Sequence, residues 1–164
     1  MLTKAEAKKL IEAKLDQAEV KLAIVSDVAV DYGWVFFWNS QNYLETGDIM
    51  QSLLGNGPYL VNKFDNTIQQ LGTYCWEDSL GEYEKELKPE IRGNYGLYVE
   101  CEIDEKLQVL KVIREVMNLS LSETSKVKAN LPGVVLEGGY YQLYRPLSQL
   151  EEQGIQVTIQ KVTL

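Results

Sequence analysis

An α+β protein of two small domains is what the sequence predicts, and three observations carry the prediction. Apolar residues alternate at period two in some stretches and recur at helical spacing in others, with the two kinds interspersed along the chain. The 164 residues are 45% hydrophobic, enough to bury a core in each of two small domains. Between two patterned regions, Lys88-Pro-Glu-Ile-Arg-Gly-Asn94 mixes Pro, Gly and charge, which marks a boundary. The expected domains are 1–88 and 97–164, joined by a linker over 89–96. The first is expected as an N-terminal helix packed on a mostly antiparallel sheet, the second as a compact β-α-α-(β)-α-β unit.

Thr3-Lys-Ala-Glu6 fits a capping box and opens the first helix, whose apolar stripe is Ala7, Leu10, Ile11, Leu15 and Ala18. Residues 22–30 are rich in Ala, Ile and Val, and Asp31-Tyr-Gly33 interrupts before Trp34, so two strands meet at a tight turn. In the second strand Val35, Phe37 and Asn39 fall on one face and Trp34, Phe36 and Trp38 on the other. Both faces are apolar, which predicts cover on both sides. A short helix is expected around 48–54. Residues 58–61 and 67–71 read as a hairpin turned at Asp65-Asn66, because both residues tolerate positive φ. Trp76, Leu80, Tyr83 and Leu87 then give a helix stripe that Pro89 stops.

In the second half, Leu97, Val99, Cys101 and Ile103 alternate with Tyr98, Glu100 and Glu102, the pattern of a half-buried strand. Asp104 is expected to cap a helix running to about Met117, and Ser120-Leu-Ser-Glu123 is a second capping box. A short strand at 134–136, a helix ended by Gly154, and a closing strand of Ile155, Val157 and Ile159 complete the order.

The net charge is −8, so a phosphate backbone or an anionic membrane surface is repelled over most of the molecule. Neither nucleic acid nor membrane is expected as a partner, and a basic protein surface is attracted instead. Residues 1–93 hold 9 Lys/Arg against 15 Asp/Glu, net −6, and residues 94–164 hold 7 against 9, net −2. The first domain carries most of the acidity. Its N-terminus lacks the apolar region of a signal peptide and no apolar run approaches the ~20 residues of a membrane span, so a cytoplasmic protein is expected.

The chain has no histidine, which removes histidine-based triads and metal sites. Cys75 and Cys101 fit no metal-ligand spacing and are expected as buried thiols. Gly55-Asn-Gly-Pro58 lacks the Gly-Lys-Ser/Thr ending of a phosphate loop and reads as a turn. Acidic pairs such as Glu77-Asp78 and Glu151-Glu152 read as solvated helix faces. The aromatics 34–38 lack the interleaved Lys and Arg of a base-stacking platform, since none stands between Lys21 and Lys63. No enzyme, no cofactor and no metal is expected. One feature stands out on a helical wheel for 104–117. Val109, Val112, Ile113 and Val116 suffice to pack the helix, while Leu107 and Leu110 lie elsewhere beside Lys106, Lys111 and Arg114. Two readings of these leucines stand side by side: a protein-binding patch with a basic rim, or contacts packed under the other domain.

Residues 104–124 and the Leu150-Glu-Glu-Gln-Gly154 ending resemble the C-terminal domain of the acidic stalk protein of the large ribosomal subunit, over roughly 97–162. The resemblance implies that fold, and a first helix that recruits translation factors through the positions of Lys106, Leu107, Leu110, Lys111 and Arg114. The family's Gly-Leu-Gly-Leu is here Asn118-Leu-Ser-Leu121, a contact lysine of the second helix is Ser125, and Pro146 falls inside the third helix. The stalk protein's dimerisation region and hinge have no counterpart. Residues 1–88 resemble the YrhB-like family, also called immunity protein 35, through Leu2-Thr-Lys-Ala-Glu-Ala7, Gly33-Trp-Val-Phe-Phe37, Asn39-Ser40, Tyr43-Leu-Glu-Thr-Gly47, Leu54-Gly-Asn-Gly-Pro58 and Leu71-Gly-Thr73. That resemblance implies a small bacterial protein, linked to polymorphic toxin systems, that neutralises a toxin by binding it; a chaperone-like role has also been attached to such proteins. The expected partner is therefore another protein, a cognate toxin, with translation factors as the alternative. Asp31, Glu45 and Asp48, in acidic turns beside the aromatic strand, are the candidate contacts of the first domain.

Overall fold

A computed structural model describes residues 1–162; residues 163 and 164, the end of the expected second domain, lie outside the described residues. The chain forms two compact units, Met1–Ser79 and Leu80–Leu164.

In the first unit, α1 (Lys4–Leu15) opens on Thr3, whose hydroxyl accepts from the Glu6 amide at 3.3 Å while the Glu6 carboxylate accepts from the Thr3 amide at 2.8 Å. Ala7, Ile11 and Leu15 lie one above the next and are buried. Leu10 falls off that line and Ala18 beyond the helix end, and both are exposed, contrary to expectation. Beneath α1 is an antiparallel sheet of β1 (Leu22–Val30), β2 (Gly33–Ser40), β3 (Tyr59–Asn62) and β4 (Ile68–Gln70), in the order β1-β2-β3-β4. β2 is central, and Gly33 begins it because a Cβ there would strike the Val61 carbonyl of β3. Phe36 and Val61 meet α1, whereas Val35 is buried on the opposite face, where Phe37 makes an edge contact with Trp76 at 5.2 Å. Both faces of the aromatic strand are covered, as its sequence predicts. Burying a side chain such as Phe36 or Ile11 contributes roughly 1.5–3 kcal/mol, so this two-sided packing fixes β2 as a rigid rail. After β2 come α2 (Gln41–Thr46) and a 3-10 turn at Ile49–Gln51. They replace the single helix expected around 48–54.

The division between the units falls inside α3 (Trp76–Glu86), earlier than the linker expected at 89–96. Pro89 ends one helix but also opens α4 (Pro89–Arg92), and Tyr95 already begins a strand. The second unit continues with β5 (Tyr95–Glu100), α5 (Lys106–Val116), α6 (Leu121–Asn130), β6 (Gly133–Gly138), α7 (Tyr140–Glu152) and β7 (Gln156–Lys161). Its antiparallel sheet has the order β6-β5-β7. The core joins Leu97 and Val99 of β5 to Val109, Leu110 and Ile113 of α5 and Leu143 and Leu150 of α7. The capping box at Ser120 forms, and Gly154 adopts φ +76° just past α7.

Two local expectations fail for identifiable reasons. The strand expected to reach Ile103 stops at Glu100, whose partner Gln156 is the first residue of β7; past that rung no strand remains to pair with, and Ile103 is exposed. Asp104 does not cap α5, because Glu105 occupies the N-cap position and makes no side-chain cap.

The second unit also contains a cap absent from its local sequence. Gly139, at the N-cap of α7, has no side chain, and the buried Glu84 carboxylate of α3 accepts from the Tyr141 and Gln142 amides at 2.9 and 3.0 Å. A carboxylate at a helix N-terminus is favoured by the free amides and by the helix dipole. Gln142 in turn accepts from the Gly139 amide at 2.7 Å and from the Arg92 guanidinium.

Candidate protein-binding surface

At the end of β2 the chain turns out of the sheet into a tip formed by 41–57, and side chains of β2 itself hold it. Ser40 caps α2: its hydroxyl accepts from the Tyr43 amide at 3.1 Å and donates to the Gln51 carbonyl at 2.5 Å. Asn39 accepts from the Ser40 and Leu53 amides, each at 2.8 Å, and donates to the Ser52 hydroxyl at 3.1 Å. Asn56 donates to the Trp38 carbonyl, and the Trp38 indole donates to the Gly57 carbonyl at 3.1 Å. Trp38 also stacks on Tyr59 at 5.9 Å. Gly47 ends α2 with φ +69°, a conformation glycine adopts without strain. Asp48 caps the 3-10 turn by accepting from the Met50 amide at 3.0 Å. The Thr73 hydroxyl donates to the Gly55 carbonyl at 3.0 Å and so ties residues 72–75 beside the tip.

The side chains that this frame presents are apolar. Ile49, Met50, Leu54 and Tyr74 are 75, 87, 90 and 98% exposed, and Leu44 is also exposed. Glu45 and Asp48 flank them, and no Lys or Arg stands between Lys21 and Lys63. Large apolar side chains on a rigid frame, bordered by charge of one sign, suit association with a protein surface of the opposite charge. No group of three or more potential metal ligands occurs among the described residues.

The residues singled out from sequence distribute unevenly. Glu45 lies on α2, where it accepts from Gln41 at 2.7 Å, and Asp48 caps the adjacent turn, so these two share the tip. Asp31 does not join them: it sits in the β1–β2 turn at the other end of β2, about 23 Å of strand away. In the second unit Leu107 is 70% exposed, and Lys111 and Arg114 are exposed on the same helix, whereas Lys106 is half-buried. Leu110 is only 8% exposed and belongs to the core. Of the two readings of these leucines, the outward pair does not form, because α5 packs against α6 and α7 and shares a core with β5, so its buried arc is wider than one face. Cys75 is exposed rather than buried, Cys101 is half-buried, and both are free thiols. Sequence reasoning missed Ile49, Met50, Leu54 and Tyr74. For Ile49, Met50 and Leu54 the available signal was an apolar cluster confined between Gly47 and Gly55, and Tyr74 carried none.

Residues 3–82 match the family described as Immunity protein 35. Over 71 residues the chain is 35% identical to the uncharacterized protein YrhB of Escherichia coli (strain K12), an alignment covering 43% of this chain and 76% of that protein. The chain belongs to the immunity protein 35 family. Its family region contains the whole sheet of the first unit, the tip and the first turns of α3, and the hydrogen-bonding residues Asn39, Ser40 and Asn56 all fall within it. No solved structure matches the chain. No helix among the described residues is long and apolar enough to cross a membrane.

Proposed function

We propose that this immunity protein 35 member neutralises a cognate bacterial toxin by direct, non-enzymatic binding in the cytoplasm, and that the tip of its first unit makes the contact. The observation that carries the proposal is the exposure of Ile49, Met50, Leu54 and Tyr74 on a frame held by Asn39, Ser40 and Asn56. A few apolar anchors surrounded by a polar rim supply most of the energy of a protein interface, and a frame already ordered reduces the entropy lost on binding. Glu45 and Asp48 fit a basic surface on the toxin, with Asp31 contributing only to a footprint long enough to reach the far end of β2. The order β5-α5-α6-β6-α7-β7 supports a stalk-like fold for the second unit. Recruitment of translation factors is not favoured, because Leu110, one of the five residues it requires, is in the core.

Co-expression with the toxin candidates encoded beside the gene tests this reading. Growth rescue and co-purification are expected with one of them, and Ile49→Ser, Met50→Ser and Leu54→Ser together should abolish both while the unfolding midpoint stays unchanged. If no candidate is neutralised and none co-purifies, the proposal fails.

A further inference from the structure

Among the described residues the two sheets have four edge strands, and three are blunted against pairing with another chain. β1 carries a bulge between Ile24 and Ser26, β4 is only three residues long, and β6 carries a bulge opposite Leu97 and Tyr98. β7 is different. Gln156-Val-Thr-Ile-Gln-Lys161 pairs with β5 in unbroken register and contains no proline, no bulge and no charge before Lys161. Its other side has no neighbouring strand. A regular, uncharged edge of this kind is a template for strand addition.

The start of that edge opens into a cleft of about 700 Å³ at the place where β5 ends and β7 begins. Val109, Val112 and Ile155 give the cleft apolar wall, while Glu100, Glu102 and Glu105 stand exposed around it. A second hollow of about 510 Å³ shares Ile155 and Gln156 with the first and continues along β7 to Thr158, adding Glu151. Neither hollow contains a Lys or Arg.

We propose that the free edge of β7 and this cleft form a second docking surface, which takes an extended, basic segment of a partner protein as a fourth strand of the sheet. Main-chain hydrogen bonds to β7 hold the segment, an apolar side chain enters the cleft against Val109 and Ile155, and flanking Lys or Arg side chains meet Glu100, Glu102 and Glu105. A second copy of this chain is a poorer occupant, since each copy carries a net charge of −8 and the cleft is acidic in both. The surface lies wholly in the second unit, and the proposal stands whether or not the tip binds a toxin.

The test uses the full chain carrying Cys75→Ser, which leaves Cys101, a residue lining the cleft, as the one thiol. The probe is the acetylated peptide Lys-Val-Arg-Ile-Lys-Val-Arg, compared with versions N-methylated at alternate residues in each of the two registers. Expected are saturable one-to-one binding by fluorescence anisotropy and a slowed reaction of Cys101 with maleimide. Binding should weaken by about tenfold or more when the pairing register is methylated, the effect of losing a few main-chain hydrogen bonds. A comparable loss is expected for Glu102→Gln with Glu105→Gln, two exposed positions that leave the fold intact. Equal binding of all the peptides, or an unchanged rate at Cys101, overturns the proposal. So does a dimer that protects Cys101 without peptide, which would make the second copy the occupant.

Discussion

The Glu84 carboxylate occupies the space that a Cβ on residue 139 would need. Gly139 cannot cap α7 itself, and its lack of a side chain admits a cap from α3. Gly139→Ala should therefore destabilise the second unit by about 1–3 kcal/mol in urea unfolding, as overpacking of a filled site does. Its backbone, at φ −73°, suits alanine, so the cost is steric alone. In a Glu84→Ala background the same substitution should cost much less, because the group it strikes is gone. Equal costs in the two backgrounds would disprove the relationship.

Leu107 and Leu110 lie within one turn of α5 but differ in role. Leu110→Ala should cost about 2–5 kcal/mol, the range for a buried leucine, whereas Leu107→Ala should stay within about 0.5 kcal/mol of the parent. Chemical denaturation of the two variants side by side distinguishes them.

Asn39 joins β2 to the tip through two hydrogen bonds, to the Ser52 hydroxyl and from the Leu53 amide. Asn39→Ala should leave the Leu53 amide without its acceptor and cost about 1–3 kcal/mol. Hydrogen exchange should quicken at Leu53 and along 48–54 before it changes in β2 or α1.

The two capping boxes give a pH dependence whose sign is fixed. Hydrogen bonds from the Thr3 hydroxyl and amide hold the Glu6 carboxyl below its ordinary 4.5, and those from Ser120 do the same for Glu123. A carboxyl lowered in the folded state contributes stability that is complete above 4.5 and is lost as pH falls through the folded values. Thermal unfolding followed from about pH 5 down to about pH 2 should show this decline. Glu6→Gln with Glu123→Gln should remove that part of the slope.

What could be read from the sequence was what depends on near neighbours. The Thr3 and Ser120 boxes, the turn at Asp65-Asn66 and the two-faced strand at 34–38 each rest on spacings of a few residues, and each forms. The failures are non-local. Leu110 is buried by helices that a single wheel omits, and Glu84 finds its amides 57 and 58 positions away. The strand at 97–103 stops where its partner starts, which alternation within one strand does not reveal. At the tip, Asp48 was legible as an acidic turn residue, whereas Glu45 lies on α2, and Asp31 was grouped with them by sequence proximity although a strand separates it from them. From sequence Ile49, Met50 and Leu54 read only as part of a short helix, because it takes the folded frame to show that no core lies next to them.

The tip is held by Trp38, Asn39, Ser40 and Asn56, while Ile49, Met50, Leu54 and Tyr74 point away and hold nothing. Under the proposed role of the tip, selection on folding and selection on recognition fall on different residues. A lineage can replace the exposed four one at a time, each step nearly neutral for stability, and so follow a changing partner without repairing its core.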